Sequence, residues 1–483
     1  MNILRSSSFF RSRYPLAVVA GLLLASSFPG VGVAGLAWIA PGLMIASAMG
    51  KRGAERFRIG YVAGLTHYLA MLHWLLFIPY RWHGIPFGPA AGWLALSGFL
   101  ALFPGFWVWL MSPAEGSFNP PTPAPGHGSD ARNPLTKSWA QRSLWALAGA
   151  AVWVALEMIL ARIFGGFPWD LLGVSQYQLV PLIQIASVTG VYGVSFLVVW
   201  MSLSMLLAGF SVIQRPNARS AWLSELFVPM LAVALCFNLG FREARREPPS
   251  DRTLRLTLIQ PSIPQTVIWD PNSGAARFRD LIRLSEQVLT NQTDLLIWPE
   301  AAIPQLLRWD KDTSDAISGL ASRHRVWMIV GSDDAEPRHN PRNPNDADYF
   351  NSCFLIGPDG KLVERYVKRN LVIFGEYVPL ARWLPFLEWV TPVQGGFTPG
   401  TNSVPFRLGN LEVETRVLIC YEDVFPQLAR NDASDRTDFL VNLTNDGWFG
   451  EGAAQWQHAV TAVFRSVETH LPLVRCSNNG LTC

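Results

Sequence analysis

Three residues in the second half of the chain have the types and settings to make a thiol attack a carbonyl. Glu300 closes the run Leu295-Leu296-Ile297-Trp298-Pro299-Glu300, Lys368 closes Leu362–Lys368, and Cys420 closes Val417-Leu418-Ile419-Cys420 ahead of Tyr421-Glu422-Asp423. A carboxylate can take the thiol proton, the sulfur can attack, and an ammonium can stabilise the resulting oxyanion, which together is acyl-transfer chemistry. Cys420 falls where a strand passes into a helical pattern. The positive end of a helix there favours thiolate, so an activated nucleophile is expected. Taken singly, a cysteine ending an apolar strand is more often inert core, and a Glu or Lys at a strand end is more often a solvated charge. Only the combination points to catalysis.

Short apolar runs bounded by turn residues must position these groups. The pattern predicts strands at 254–260, 295–298, 326–331, 354–356, 362–368, 413–420 and 439–443, with Pro358-Asp359-Gly360-Lys361 as a hairpin turn. Helices are expected at 275–289, where Phe278, Leu281, Ile282, Leu284 and Val288 share a face, and at 458–470. Strands alternating with helices indicate a layered α/β or α+β domain over 250–483.

The first half reads differently. The 483 residues are 50% hydrophobic and only 16% charged, with a mean hydropathy of +0.20, which excludes a disordered chain and favours a membrane protein. A net charge of +3 from 39 basic and 36 acidic residues is too balanced for a nucleic-acid partner. No Asp, Glu, Lys or Arg occurs from Pro15 to Gly50, and further apolar stretches follow at 59–80, 87–111, 144–164, 181–210 and 226–241. They predict an α-helical transmembrane bundle of about seven spans over 1–241. The Pro-rich segment 112–142 is expected to be a disordered linker.

Twelve basic residues, among them Arg5, Arg11, Lys51, Arg52, Lys137 and Arg215, fall on one side of this arrangement, and only Arg81 in the opposite short loops. That side is cytoplasmic by the basic-residue rule, and seven spans then export the second half. Glu157 in the fifth span is costly in lipid, and pairing with Arg162 or snorkelling of both is the favoured reading. Gly60, Gly64, Gly190 and Gly193 are expected at helix contacts. The segment Arg382-Trp383-Leu384-Pro385-Phe386-Leu387-Glu388-Trp389-Val390 is a candidate interfacial arm. The five cysteines have no metal-ligand spacing, and neither His67 with His73 nor His458 with His470 forms a ligand pair, so no metal and no cofactor are expected.

Glu300, Lys368 and Cys420, in this order and context, resemble the Glu-Lys-Cys triad of the nitrilase, or carbon–nitrogen hydrolase, superfamily. Gly166-Phe167-Pro168-Trp169, Ile259-Gln260-Pro261-Ser262-Ile263-Pro264-Gln265, Trp269-Asp270, Phe374-Gly375-Glu376-Tyr377-Val378-Pro379 and Asn445-Asp446-Gly447-Trp448-Phe449-Gly450 extend the similarity to the apolipoprotein N-acyltransferase family. The resemblance implies an αββα sandwich on a multi-pass bundle in a bacterial inner membrane, with the sandwich on the periplasmic side. It implies an acyltransferase that takes an acyl chain from a phospholipid, typically phosphatidylethanolamine, as a thioester on Cys420. The chain then passes to the α-amino group of a lipoprotein's diacylglyceryl-cysteine. It also marks Glu376 and Glu422 as essential partners, with Trp269 and Tyr421 in the site. Either glutamate near Lys368 would hold its ammonium charged and oriented. Members of the family continue past Ser477-Asn478-Asn479-Gly480 with more strand and an eighth span, so a C-terminally incomplete chain is expected. The triad alone equally allows a membrane-tethered amidase or nitrilase that hydrolyses a C–N bond, and an inert nitrilase-like scaffold is a third reading.

Overall fold

The computed structural model describes residues 13–78, 87–112, 138–214, 219–246, 253–268, 270–338, 346–379, 383 and 396–483. Trp269, residues 113–137 of the expected linker and all of the 382–390 arm except Trp383 lie outside these residues, while 139–142, expected to be disordered, open the helix Trp139–Leu160. The chain divides into two compact units, one of residues 1–76 and 90–246, the other of 77–89 and 247–483.

The first unit is helical: α1 Tyr14–Ala25, α2 Ala40–Ala48, α3 Gly53–Met71, α4 Gly88–Leu100, α5 Leu102–Met111, α6 Trp139–Leu160, α7 Val191–Gln214 and α8 Arg219–Ala244. Four stretches, Gly88–Met111, Trp139–Leu160, Val191–Ile213 and Trp222–Ala244, are long and apolar enough to cross a membrane. At a rise of 1.5 Å per residue, a helix of their length covers a hydrocarbon core of about 30 Å. One face of α8 leaves Phe227, Leu231, Leu235 and Leu239 exposed, as suits a lipid solvent.

Small residues and buried polar bonds join these helices. A β-carbon at Gly60 would lie 2.6 Å from Val108 Cβ, and one at Gly64 3.0 Å from Pro104, so both glycines set the approach of α3 to α5 as expected. Gly190 does something else. At φ +69° it breaks the apolar 181–210 stretch between the short helix Ala186–Thr189 and α7. Gly193 likewise meets Thr189 of its own preceding turn. Arg142 of α6 and Glu225 of α8, both buried, form an ion pair with Nε 2.6 Å from Oε1. The pairing of Glu157 with Arg162 does not form. Glu157 Oε1 accepts from Trp153 Nε1 at 2.9 Å and from the Leu172 N–H at 2.8 Å, whereas Arg162 donates to the Met158 carbonyl.

The second unit stacks two sheets. Strands β1 Leu256–Leu258, β2 Leu295–Ile297, β3 Trp327–Pro337, β4 Ala347–Ile356 and β5 Leu362–Val367 lie in sequential order, with β1, β2 and β3 parallel and β3, β4 and β5 antiparallel. The second sheet, β6 Pro405–Leu408, β7 Val413–Ile419, β8 Phe439–Thr444 and β9 Leu473–Ser477, is also sequential, with β7, β8 and β9 parallel. Helices α9 Gly274–Val288 and α10 Lys311–His324 pack Leu281, Ile317 and Leu320 onto Leu296, Met328 and Phe354 of the first sheet. Helices α11 Pro426–Asp432 and α12 Ala453–Thr469 belong to the second sheet, where Ala429 meets Leu418 and Leu440. This is the expected αββα sandwich. Parallel strands buried on both faces read as near-continuous apolar runs, which is why β2, most of β8 and the Val417–Ile419 end of β7 are legible in sequence.

Candidate active site

Glu300, Lys368 and Cys420 leave the ends of β2, β5 and β7, and all three are buried. Lys368 continues the ladder past β5 by donating its N–H to the Asn351 carbonyl at 2.9 Å. Its ammonium stands 2.8 Å from Glu376 Oε1 and 3.4 Å from Glu300 Oε1. Burial would lower the ammonium's pKa, but Glu376 and Glu300 outweigh burial and hold it above its ordinary value. Lys368 is therefore a fixed positive charge, suited to an oxyanion and unable to act as a base.

Glu300 is aimed by three donors. Asn351 Nδ2 donates to Oε1 at 2.8 Å, the Asn445 N–H donates to Oε2 at 2.9 Å, and Lys368 faces Oε1. The same Asn351 nitrogen lies 2.8 Å from Glu376 Oε1, and the Val372 N–H binds Glu376 Oε2 at 2.8 Å. Of the two glutamates expected beside Lys368, Glu376 is the one that touches it. Glu422 does different work. Fully buried, it accepts the N–H groups of Ile419, Arg369 and Asn370 at 2.8, 2.7 and 3.1 Å and the Tyr366 hydroxyl at 2.8 Å.

Cys420 has φ +52°, a conformation that non-glycine residues adopt only when their surroundings impose it. Its carbonyl accepts from Asn442 Nδ2 at 3.1 Å, and Thr444 at the end of the neighbouring strand donates its hydroxyl to Asp446 Oδ1 at 3.1 Å. Burial, and next the charge of Glu300, push the thiol well above its usual pKa, with Lys368 opposing. The expectation of a thiolate favoured by a helix end is thus corrected. Cys420–Val424 is a single five-residue 3₁₀ turn, and α11 begins only at Pro426. With no extended helix to supply a dipole, burial and Glu300 favour the neutral thiol at rest. Tyr421, also buried, packs edge-on against Phe425 with centroids 5.1 Å apart.

Beneath Cys420 lies a polar cluster that sequence reading missed. His458 presents Nε2 to Asp423 at 2.8 Å and Nδ1 to Asp446 at 2.7 Å, and Arg475 reaches Asp423 at 2.6 Å and Asp446 at 2.8 Å. All four residues are buried. Burial would lower the imidazole's pKa, yet Asp423 and Asp446 raise it to about 9. Asp446, which burial would raise, is brought to about 2 by Arg475 and His458. Two cations thus balance two carboxylates in one enclosed quartet. Its members are 12 to 52 residues apart in sequence, so no local spacing could announce it. Asn351 was missed for the same reason. Asn445 stood within a quoted motif, but its role of aiming Glu300 was invisible.

The sandwich is a carbon–nitrogen hydrolase domain, matched over residues 255–482. Residues 20–204 match the apolipoprotein N-acyltransferase N-terminal domain. Among relatives, the apolipoprotein N-acyltransferase of Geobacter metallireducens is 33% identical over 477 residues, spanning 98% of this chain and 85% of that protein. That of Methylococcus capsulatus is 30% identical over 470 residues, spanning 97% and 84%. The chain belongs to the apolipoprotein N-acyltransferase family. Among solved structures, a carbon–nitrogen hydrolase from Helicobacter pylori G27 is similar at 17% identity over 46% of this chain and 71% of that one, with a TM-score of 0.33.

Proposed function

We propose that this protein N-acylates lipoproteins through a thioester on Cys420, with Glu300 as base and Lys368 as the oxyanion's counter-charge. In the first half-reaction Glu300 takes the thiol proton as sulfur attacks the ester carbonyl of a phospholipid acyl chain. The tetrahedral oxyanion forms beside Lys368, and its collapse expels the lysophospholipid alkoxide, which recovers the proton from Glu300. In the second, the α-amino group of a diacylglyceryl-cysteine attacks the thioester and sulfur leaves. The observation that carries this reading is the placement of Lys368 between Glu300 and Glu376, which keeps it charged, with the charges of both Glu300 and Lys368 felt at the Cys420 thiol.

Glu376 and Glu422 support Lys368 directly and through the backbone respectively, and Tyr421 walls the site. Trp269 is carried as a site residue on the motif alone. Four helices long and apolar enough to span support a multi-pass membrane protein; its placement in the inner membrane with residues 250–483 exported rests on the one-sided basic residues and the odd count of seven spans read from the sequence.

The test is mass spectrometry of the purified protein given phosphatidylethanolamine without acceptor. A hydroxylamine-sensitive increment of one acyl chain on Cys420, discharged by a diacylated lipopeptide, is the expected result. Release of free fatty acid with no modified Cys420 would make water the acceptor and the protein a hydrolase.

A further inference from the structure

The proton inventory of the proposed reaction does not close on Glu300 alone. Forming the thioester moves one proton from sulfur to the departing alcohol, with no net change. The second half starts from an acceptor that is an ammonium near neutral pH, since an α-amino group has a pKa of about 7.7–8.0. As the C–N bond forms and the C–S bond breaks, nitrogen goes from three hydrogens to one. One proton follows the electron pair to sulfur, and the other must go elsewhere. Glu300 can carry the first. Lys368 already holds its proton, and Glu376 is committed to Lys368, Asn351 and the Val372 N–H.

A fourth ionisable group on this face has no such commitment. In the β3–β4 ladder Asp333 stands directly opposite Asn351, whose amide bridges Glu300 and Glu376. Opposed residues of an antiparallel pair project to the same side of the sheet, so Asp333 shares the side occupied by the triad. Gly331, two residues back and hence on the same side, gives the same answer, because a β-carbon there would lie 2.8 Å from Glu300 Cα. Asp334 points the other way, into Arg308 and Arg365. Asp333 is half-buried rather than sealed, and among the described residues no side chain donates a hydrogen bond to its carboxylate.

We propose that Asp333 is a second acid–base residue, which takes from the acceptor's ammonium the proton that Glu300 does not carry. This rests on the acyl-transfer reading above. The groups facing Asp333 are Glu300 after β2, Glu376 in the 373–377 turn and Lys368 at the end of β5, with Asp334 adjacent. Burial, then Glu300 and Glu376, push its carboxyl up to about 7, against the pull of Lys368. A base so tuned matches an ammonium at neutral pH, whereas an ordinary carboxylate would be too weak. Hydrolysis of the thioester would need no such group, because water attacks as a neutral molecule and its second proton leaves only when the fatty-acid product ionises in solvent.

The experiment compares the full-length protein with Asp333→Asn and Asp333→Glu in single turnovers with phosphatidylethanolamine and then a diacylated lipopeptide. Asp333→Asn is expected to form the Cys420 thioester within a few-fold of the wild-type rate, yet to discharge it on the order of 100-fold more slowly at pH 7. Its discharge should recover as pH rises and the lipopeptide amine loses its proton unaided. Asp333→Glu should restore part of the rate. Hydroxylamine, already unprotonated at pH 7, should discharge wild type and Asp333→Asn equally, showing an intact site. Equal lipopeptide discharge by both proteins, or equal slowing of both half-reactions, overturns the role of Asp333 alone. No thioester on the wild type removes the acyl-transfer reading and this inference with it.

Discussion

The carboxylate of Glu422 binds the N–H of Arg369 at 2.7 Å, one residue after Lys368, while its other oxygen binds the N–H of Ile419, one residue before Cys420. One buried side chain thereby fixes the spacing of ammonium and thiol without touching either. Glu422→Ala strands several buried N–H groups, each worth about 1–3 kcal/mol. It should lower the melting temperature of the detergent-solubilised protein and cut transfer by on the order of 100-fold. An unchanged melt with full transfer would show that the clamp is dispensable.

Glu300→Gln, Lys368→Met and Cys420→Ala should each reduce acyl transfer by on the order of 100-fold or more while membrane insertion persists. Transfer assays paired with membrane fractionation check this. Any one of the three that inserts normally and works normally loses its place in the triad.

Because burial and Glu300 hold the Cys420 thiol well above its ordinary pKa, iodoacetamide should modify it more slowly between pH 7 and 8.5 than it modifies free cysteine. Peptide mapping of the labelled protein reads the rate. Labelling as fast as free cysteine at pH 7 would mean a resting thiolate.

His458 is held at about 9 in the fold, above its ordinary 6.5, so its contribution to stability is complete below 6.5 and is lost as pH rises through about 9. Asp446, held at about 2, contributes above its ordinary 3.8 and loses that only in strong acid. Thermal stability should therefore fall between about pH 7 and 10. His458→Gln should start on the order of 3–5 kcal/mol less stable, with two buried carboxylates facing one guanidinium, and show a flatter profile there. Parallel slopes for both proteins would dissociate the quartet from the alkaline loss.

A reporter fused at Ser129 should be cytoplasmic and one fused near Asp334 exported, following the one-sided basic residues. Alkaline phosphatase and fluorescent-protein fusions distinguish the two sides. The reverse pattern would invert the orientation proposed for the catalytic domain.

What could be read from the chain was whatever repeats locally. Leu295–Ile297 and Val417–Ile419 announce themselves as buried strands, and two of the three candidate catalytic residues, Glu300 and Cys420, follow them. The helix over Gly274–Val288 was visible in the spacing of its apolar face, and the Asp359-Gly360 turn in its composition, with Gly360 at φ +77°. β9 and α10 were missed because Leu473–Ser477 contains Arg475 and Ser477, and Lys311–His324 carries few large apolar residues. Both are polar sequences whose burial depends on partners far along the chain. Distance defeated the rest. Asn351 and His458 act through partners remote in sequence, Glu300 and Glu376 for the one and Asp423 and Asp446 for the other, and a lone polar residue in a strand or helix carries no mark of what it will meet.

Gly331 has no functional group, yet an added β-carbon would sit 2.2 Å from the Pro299 carbonyl and 2.8 Å from Glu300 Cα. The bare backbone there acts as a gauge, because the position of the segment that carries Glu300 is set by the room that a missing methyl group leaves. Variation at this position must displace backbone, and will disturb the segment that carries Glu300 as well as the strand itself. A screen that scores only side chains able to exchange protons would pass over one of the tightest mechanical tolerances in the enzyme.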